Sequence, residues 1–360
     1  MLATLAFAAF LVSPGQAEAI KLRDANGAES GMVVLSQPIL DIPKTAPKNR
    51  SWSFEYLTAG YVPSSTDKSK SELRFMCYSQ KRPANDPALG VVQMLLRLWS
   101  YNRHRLKIDH SPGYSERQIH LYLCEEGKAG GEQRFGEDRY VDPATGKAVS
   151  TKVNTIYIYE MATFTKDRSE MVREIAHEYG HATLPPVGPF SKPEDWANGH
   201  LGEGLYVRWL FEDLVNRRIQ RGDVLGATAE GLERYLKRFA DPLIRKVALQ
   251  GPDLVAMGKK GSAAMDAYLG LAFYAERILP PVAFSRSLML AGSMKPLDYA
   301  EAAVRAATED RWTVRVPYGY EGQKIWLPVG KQRISGAPVL ARRGDWVQVL
   351  VASKPIVVGG

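Results

Sequence analysis

The chain has 360 residues, 45% of them hydrophobic and 24% charged, which excludes a disordered or low-complexity protein and leaves room for one large core or two domains. A formal net charge of +8 is compatible with anionic surfaces. The Lys and Arg residues are scattered, however, with no long basic run and no nucleic-acid motif, so we read a soluble basic protein and expect no nucleic-acid partner.

The first segment reads as a targeting sequence. Leu2 to Val12 is almost wholly apolar, Pro14 and Gly15 break it, and Ala17-Glu18-Ala19 fits a small-x-small cleavage site. Residues 1–19 are therefore expected to be a signal peptide, with the mature chain starting at Ile20 and secreted or periplasmic. No Lys or Arg precedes the apolar stretch, and the alternative is a buried first helix. The stretch is shorter than the ~20 apolar residues a bilayer span needs, and no other candidate follows, so no integral membrane span is expected.

Met32–Leu35 and Trp52–Tyr56 are candidate strands, and Leu73–Tyr78 is strand-like. The spacing of Val91, Met94, Leu95, Leu98 and Trp99 predicts a helix from Pro87 to about His104. Alternation predicts a strand over Gln118–Cys124, and Thr155–Tyr159 is another. Between them Gly127–Gly146, rich in glycine and charge, reads as a loop. Asp167 or Ser169 then caps a helix that runs through His181 to Leu184, where Pro185-Pro186 ends it. Further helices are expected at Leu201–Ile219, Glu230–Leu249, Ala263–Leu279 and Leu297–Ala307.

From Trp312 the character changes. Val314–Val316, Lys324–Leu327 and Trp346–Val351 read as strands of a small β appendage. Its Trp312, Tyr318, Tyr320, Trp326 and Trp346 either fill a small core or form a sugar-binding face. The expected organisation is an N-terminal α+β subdomain over 20–199, a helical subdomain over 200–309 and the appendage over 310–360. The two cysteines, Cys77 and Cys124, are either a disulfide of an oxidising compartment or two buried free thiols.

The chemistry concentrates in His177-Glu178-Tyr179-Gly180-His181. Residues four apart on a helix share a face, so His177 and His181 can aim two imidazoles at one metal. Glu178 projects close to the same opening, where it can take a proton from a metal-activated water. Met171, Val172, Ile175 and Tyr179 mark the buried stripe of that helix. A third ligand is still needed. Six residues beyond His181 stands Val187, which excludes the metzincin pattern, and no Gly-Thr-x-Asp of an aspzincin follows. Downstream comes Trp196-Ala197-Asn198-Gly199-His200-Leu201-Gly202-Glu203-Gly204-Leu205-Tyr206.

With that segment the chain resembles the gluzincin (thermolysin-like) zinc peptidases, in which a second helix carries the third ligand as a Glu. Glu203 follows His181 by 22 residues, and the Glu-Gly-Leu beginning is similar to the peptidase MA-like and aminopeptidase branches. The resemblance covers about Gln118 to Leu279. It implies a zincin-like α+β fold, with a small mixed sheet over the metal-site helix, and zinc held by His177, His181 and Glu203. It also implies Glu178 as general base and a peptide or protein substrate. His200 competes with Glu203 for the third position. By the same resemblance Tyr268 would donate to the oxyanion, with Tyr274 and Tyr206 as alternatives and a packed core tyrosine as the plain reading. Thr155–Tyr159 would be the edge strand that pairs with an extended substrate.

The chain also departs from the pattern. Where thermolysin-like enzymes place an Asp that orients a ligand His, this chain has Val207, so Glu174, Asp195 or a backbone carbonyl would have to substitute. The motif that holds a substrate amino group in aminopeptidases is absent before His177, which argues against a standard aminopeptidase. Two rivals remain: a catalytically inactive scaffold of the same fold, and a zinc amidase acting on cell-wall material.

Overall fold

The computed structural model describes residues 19–24, 27–48, 53–64, 66–67, 69–80, 87–108, 117–165, 168–185, 197–259, 261–291, 296–316 and 323–359. The signal-like segment before Ala19, and Trp52, Asp167, Asp195, Tyr318 and Tyr320, lie outside them. The architecture is mixed α/β, and the chain divides into two compact units. The first contains the described residues up to Trp99, Arg117–Met171 and Arg218–Ala227. The second contains those of 100–116, Val172–Arg217 and from Thr228 onward.

The first unit is built on a seven-stranded sheet. Its strands are β1 (Ala19–Arg23), β2 (Glu29–Pro38), β3 (Tyr56–Pro63), β4 (Ser71–Ser79), β5 (Ile119–Leu123), β6 (Gly130–Val141) and β7 (Ala148–Tyr159), in the spatial order β1-β2-β3-β4-β5-β7-β6. The pairings β4–β5 and β5–β7 are parallel and the others antiparallel. Helix α1 (Ala88–His104) connects β4 to β5, as a parallel pair requires. Its first turns press on the sheet where glycine leaves room: a Cβ at Gly60 would lie 2.7 Å from Val92, and one at Gly31 2.7 Å from Leu96.

Register sets one face of this sheet. Tyr78 pairs with Tyr122 and Tyr122 with Tyr157, and the three rings stack with centroids 4.8 and 5.4 Å apart. Beside them the fully buried His120 meets Asp138, Nδ1 to Oδ2 at 2.5 Å, and Thr45 donates to Asp138 from its backbone and its hydroxyl.

Two expectations about this sheet fail for one reason. The segment read as a loop, Gly127–Gly146, contains β6 and its turn into β7. The strand read as the edge, Thr155–Tyr159, lies inside the sheet between β5 and β6. The edge is β6, whose Glu132, Arg134, Glu137 and Arg139 give it the polarity that sheet edges use to avoid further pairing. Locally, such a composition is indistinguishable from a loop.

The second unit holds most of the helices: α3 (Ala197–Val215), α4 (Ala229–Arg238), α5 (Ala240–Gln250), α6 (Leu254–Met257), α7 (Ser262–Ile278), α8 (Pro281–Ala291) and α9 (Pro296–Thr308). It also contains the later part of α2 (Arg168–Thr183). The single helix expected over Glu230–Leu249 is two. Phe239 ends α4 and precedes α5, and Pro242 stands in the first turn of the new helix, the one place where a missing N–H costs nothing.

Among the described residues, six short strands follow: β8 (Trp312–Thr313), β9 (Lys324–Pro328), β10 (Ile334–Ser335), β11 (Val339–Arg343), β12 (Trp346–Leu350) and β13 (Val357–Val358). They form two three-stranded sheets, β10-β13-β8 and β11-β12-β9, and Val314–Val316 is not a strand. Trp312, Trp326 and Trp346 are buried, so these tryptophans are core and not a sugar-binding face. The strands belong to the same unit as the helices, since the Tyr274 hydroxyl both donates to the Trp326 carbonyl and accepts from its N–H at 2.8 Å. Cys77 and Cys124 are buried thiols and form no disulfide with each other.

Burial opposes ionisation of Asp138, but the bonds from His120 and Thr45 outweigh it and hold the carboxyl below the usual carboxylate range. Its stabilising contribution is therefore present above the ordinary Asp pKa of about 3.9 and is lost as pH falls through the depressed folded value. Asp138→Asn should cost about 1–3 kcal/mol at pH 7. The gap to wild type should narrow on acidification below about pH 4, as urea unfolding at pH 7 and pH 3 would measure.

Candidate metal centre

Helix α2 forms as its apolar spacing predicts: Met171, Val172, Ile175 and Tyr179 are buried on one stripe. Arg173, His177 and His181 follow one another at four-residue intervals, and all three are half-buried. Glu178, between the histidines in sequence, is buried. Helix α3 supplies Asn198, Gly199, His200 and Glu203, with Asn198 and Glu203 buried.

The two helices meet through glycines. A Cβ at Gly180 would lie 2.5 Å from the Asn198 carbonyl oxygen and 3.0 Å from Gly202 Cα. One at Gly202 would lie 2.6 Å from Gly180 Cα. The backbones can approach this closely only without side chains between them, and the approach delivers the N-terminal part of α3 onto the histidines. Tyr206 locks the contact from the side, donating to Asn102 at 2.6 Å with Thr183 at 3.3 Å.

The imidazoles converge. His177 Nε2 and His181 Nε2 are 3.1 Å apart. Behind His181, Nδ1–H donates to Asn198 Oδ1 at 2.8 Å. Behind His177, Nδ1–H donates to Glu203 Oε2 at 3.2 Å. Gly199 faces the convergence point, for a Cβ there would stand 2.3 Å from His181 Nε2 and 2.7 Å from His177 Nε2. A side chain would fill the space that the two nitrogens address.

Glu203 is the electrostatic centre. Arg173 Nε donates to its Oε1 at 2.8 Å, and His200 Nδ1 lies 3.6 Å from its Oε2. Burial opposes its ionisation, but the bonds from His177 and His200 and the charge of Arg173 hold it well below the usual carboxylate range. The Arg173 guanidinium is itself held over the Tyr235 ring, 4.4 Å from its centroid. Burial, and then the neighbouring His177, lower the His181 pKa to about 4, so this ring is neutral at pH 7 and ready to ligate.

The donor atoms of His177, His200 and Glu203 all lie within 4.8 Å of one another, a group able to hold a metal ion. His177 thus belongs to two arrangements, the Nε2 pair with His181 and the cluster with His200 and Glu203. His200 has a side chain 43% exposed and marks the open side of the centre.

The structure brings His177, His181, Glu203 and the competing His200 together. It places Tyr268 on α7, fully buried, edge-on to Tyr299 and, among the described residues, with no hydrogen bond to its hydroxyl. Tyr274 and Tyr206 spend their hydroxyls on Trp326 and Asn102. Sequence reasoning missed Asn198, Gly199 and Arg173. The acceptor sought in place of Val207 is Asn198 for His181, and Glu203 for His177. The signals were the small residues 180, 199 and 202, and an arginine one helical turn before His177.

No protein-family model, curated protein or solved structure matches this chain.

Gly180→Ala should destabilise the protein by about 1–3 kcal/mol in urea unfolding, because its methyl group meets backbone that cannot turn aside.

Proposed function

We propose that the chain is an exported zinc-dependent hydrolase that cleaves peptide bonds. In this reading His177 and His181 bind the metal, and Glu203 supplies the carboxylate of the set. One observation carries the reading: the two Nε2 atoms stand 3.1 Å apart while both Nδ1 atoms are engaged as donors. Both Nε2 atoms then face one point, where a cation would draw on the two nitrogens together. Zn–N bonds of about 2.0–2.1 Å at a tetrahedral angle separate two nitrogens by roughly 3.3 Å, close to the spacing found.

When bound, zinc supplies a Lewis acid that brings the pKa of a water toward ~7. The chain's own residues do the rest. Asn198 fixes the ring of His181. Glu178, one residue from His177, would serve as general base toward that water and would hand the proton to the leaving amine. Arg173 keeps Glu203 anionic and turned toward the histidines. The peptide substrate and the gluzincin assignment rest on the sequence motif and its resemblance, and export rests on residues 1–19.

Purified protein should bind one zinc per chain, and Glu203→Ala should weaken that binding about tenfold or more. Metal analysis of the wild type, Glu203→Ala and His200→Ala decides which side chain completes the set. Absence of zinc in the wild type, even after metal is added, would refute the reading. Asn198→Ala should lower zinc affinity by about 10- to 100-fold without removing a ligand, as competition with a chromogenic chelator would show. Glu178→Ala should keep its zinc and lose hydrolysis of unfolded protein by about 10²- to 10⁴-fold. Undiminished hydrolysis would overturn the role given to Glu178.

A further inference from the structure

A second feature of the helical unit lies apart from the histidines. Helices α3, α5 and α7 meet strand β9 around a cleft of about 720 Å³. Four cationic side chains line it, Arg208, Arg245, Arg277 and Lys324, one from each element. Among the described residues, a single carboxylate, Asp241, lines it with them. Like charges gathered in one concavity repel, and each needs a counter-charge or water.

The compensation is incomplete. Asp241 is bonded to Arg208 and neutralises that residue. Arg277 lies 3.6 Å from Glu212, but Glu212 is more tightly held by Arg105, at 3.2 Å. Arg245 and Lys324 are exposed and have no ion pair among the described residues. Among the described residues, about two positive charges therefore face the cleft without a partner, with a third only partly matched. One wall is apolar, formed by Ile244 and Ala248 of α5.

We propose that this cleft binds a small organic phosphate, its phosphate between Arg245, Arg277 and Lys324 and its apolar part against α5. Guanidinium groups suit the geometry and charge of phosphate oxygens, and lysine adds a point charge. The volume falls within the range of roughly 300–1,000 Å³ typical of small-molecule sites. Among the described residues no aromatic side chain lines the cleft, so these residues offer no platform for stacked bases. The site is independent of the metal centre and does not rest on the hydrolase reading.

The test is calorimetric titration of the full chain with inorganic pyrophosphate as probe. The comparison set is wild type, the double variant Arg245→Ala/Lys324→Ala and the charge-matched control Lys21→Ala/Lys147→Ala. All four substituted residues are exposed, so the variants should fold. Saturable binding that weakens about tenfold or more in the cleft variant, and is unchanged in the control, is the expected result. Absence of binding, or equal weakening in both double variants, would overturn the proposal. So would binding that a zinc chelator abolishes, which would place the probe at the histidines. Failure of a short polyglutamate peptide to displace the probe supports the phosphate class, and displacement at equal concentration overturns it.

Discussion

The contact on which the candidate centre depends is the crossing of α2 and α3 at Gly180 and Gly202. Without side chains between them, the Gly202 Cα stands within 3.0 Å of where a Gly180 Cβ would be, inside normal van der Waals separation. Everything the centre needs from α3 follows from that approach: Asn198 behind one histidine, Glu203 behind the other, and a glycine facing the nitrogens. A longer spacing would leave two helix-face histidines with no oriented tautomer and no carboxylate. Placing side-chain-free backbone here loses local helix propensity, roughly 0.8–1 kcal/mol per glycine relative to alanine, so the packing must compensate.

The second constraint is electrostatic. Burying Glu203 would raise its pKa if it stood alone, and it stays ionised because Arg173, His177 and His200 surround it. Arg173 in turn is partly shielded by the Tyr235 face. The same logic governs the first unit, where Asp138 is buried against His120 and Thr45 under a stack of tyrosines. In both places a buried carboxylate persists only because it is hydrogen-bonded to more than one group. The cleft between α3, α5, α7 and β9 is the exception, where, among the described residues, cations converge with too few carboxylates to match them.

Local pattern and tertiary structure agree best where a segment has one buried face and one period. Helix α1, strand β5 and helix α2 are of this kind, and each lies within a residue or two of its expected bounds. Agreement fails where the neighbours decide. Strand β6 is polar because it is the sheet edge, and being an edge is a property of the assembled sheet. The break at Phe239 turns on Pro242, which is harmless in a first turn and disruptive in an interior, and the helical period does not distinguish the two.

By itself the sequence determined that two imidazoles share a helix face, because a period of 3.6 residues leaves no other arrangement for His177 and His181. It also placed a carboxylate on a following helix. Only the tertiary structure decided how those groups meet. The glycine crossing sets the distance between α2 and α3, and that distance made Asn198 the partner of His181 and put Glu203 beside His177, Arg173 and His200. Such contacts join residues far apart in the chain, and their geometry is set by packing, which no local period encodes.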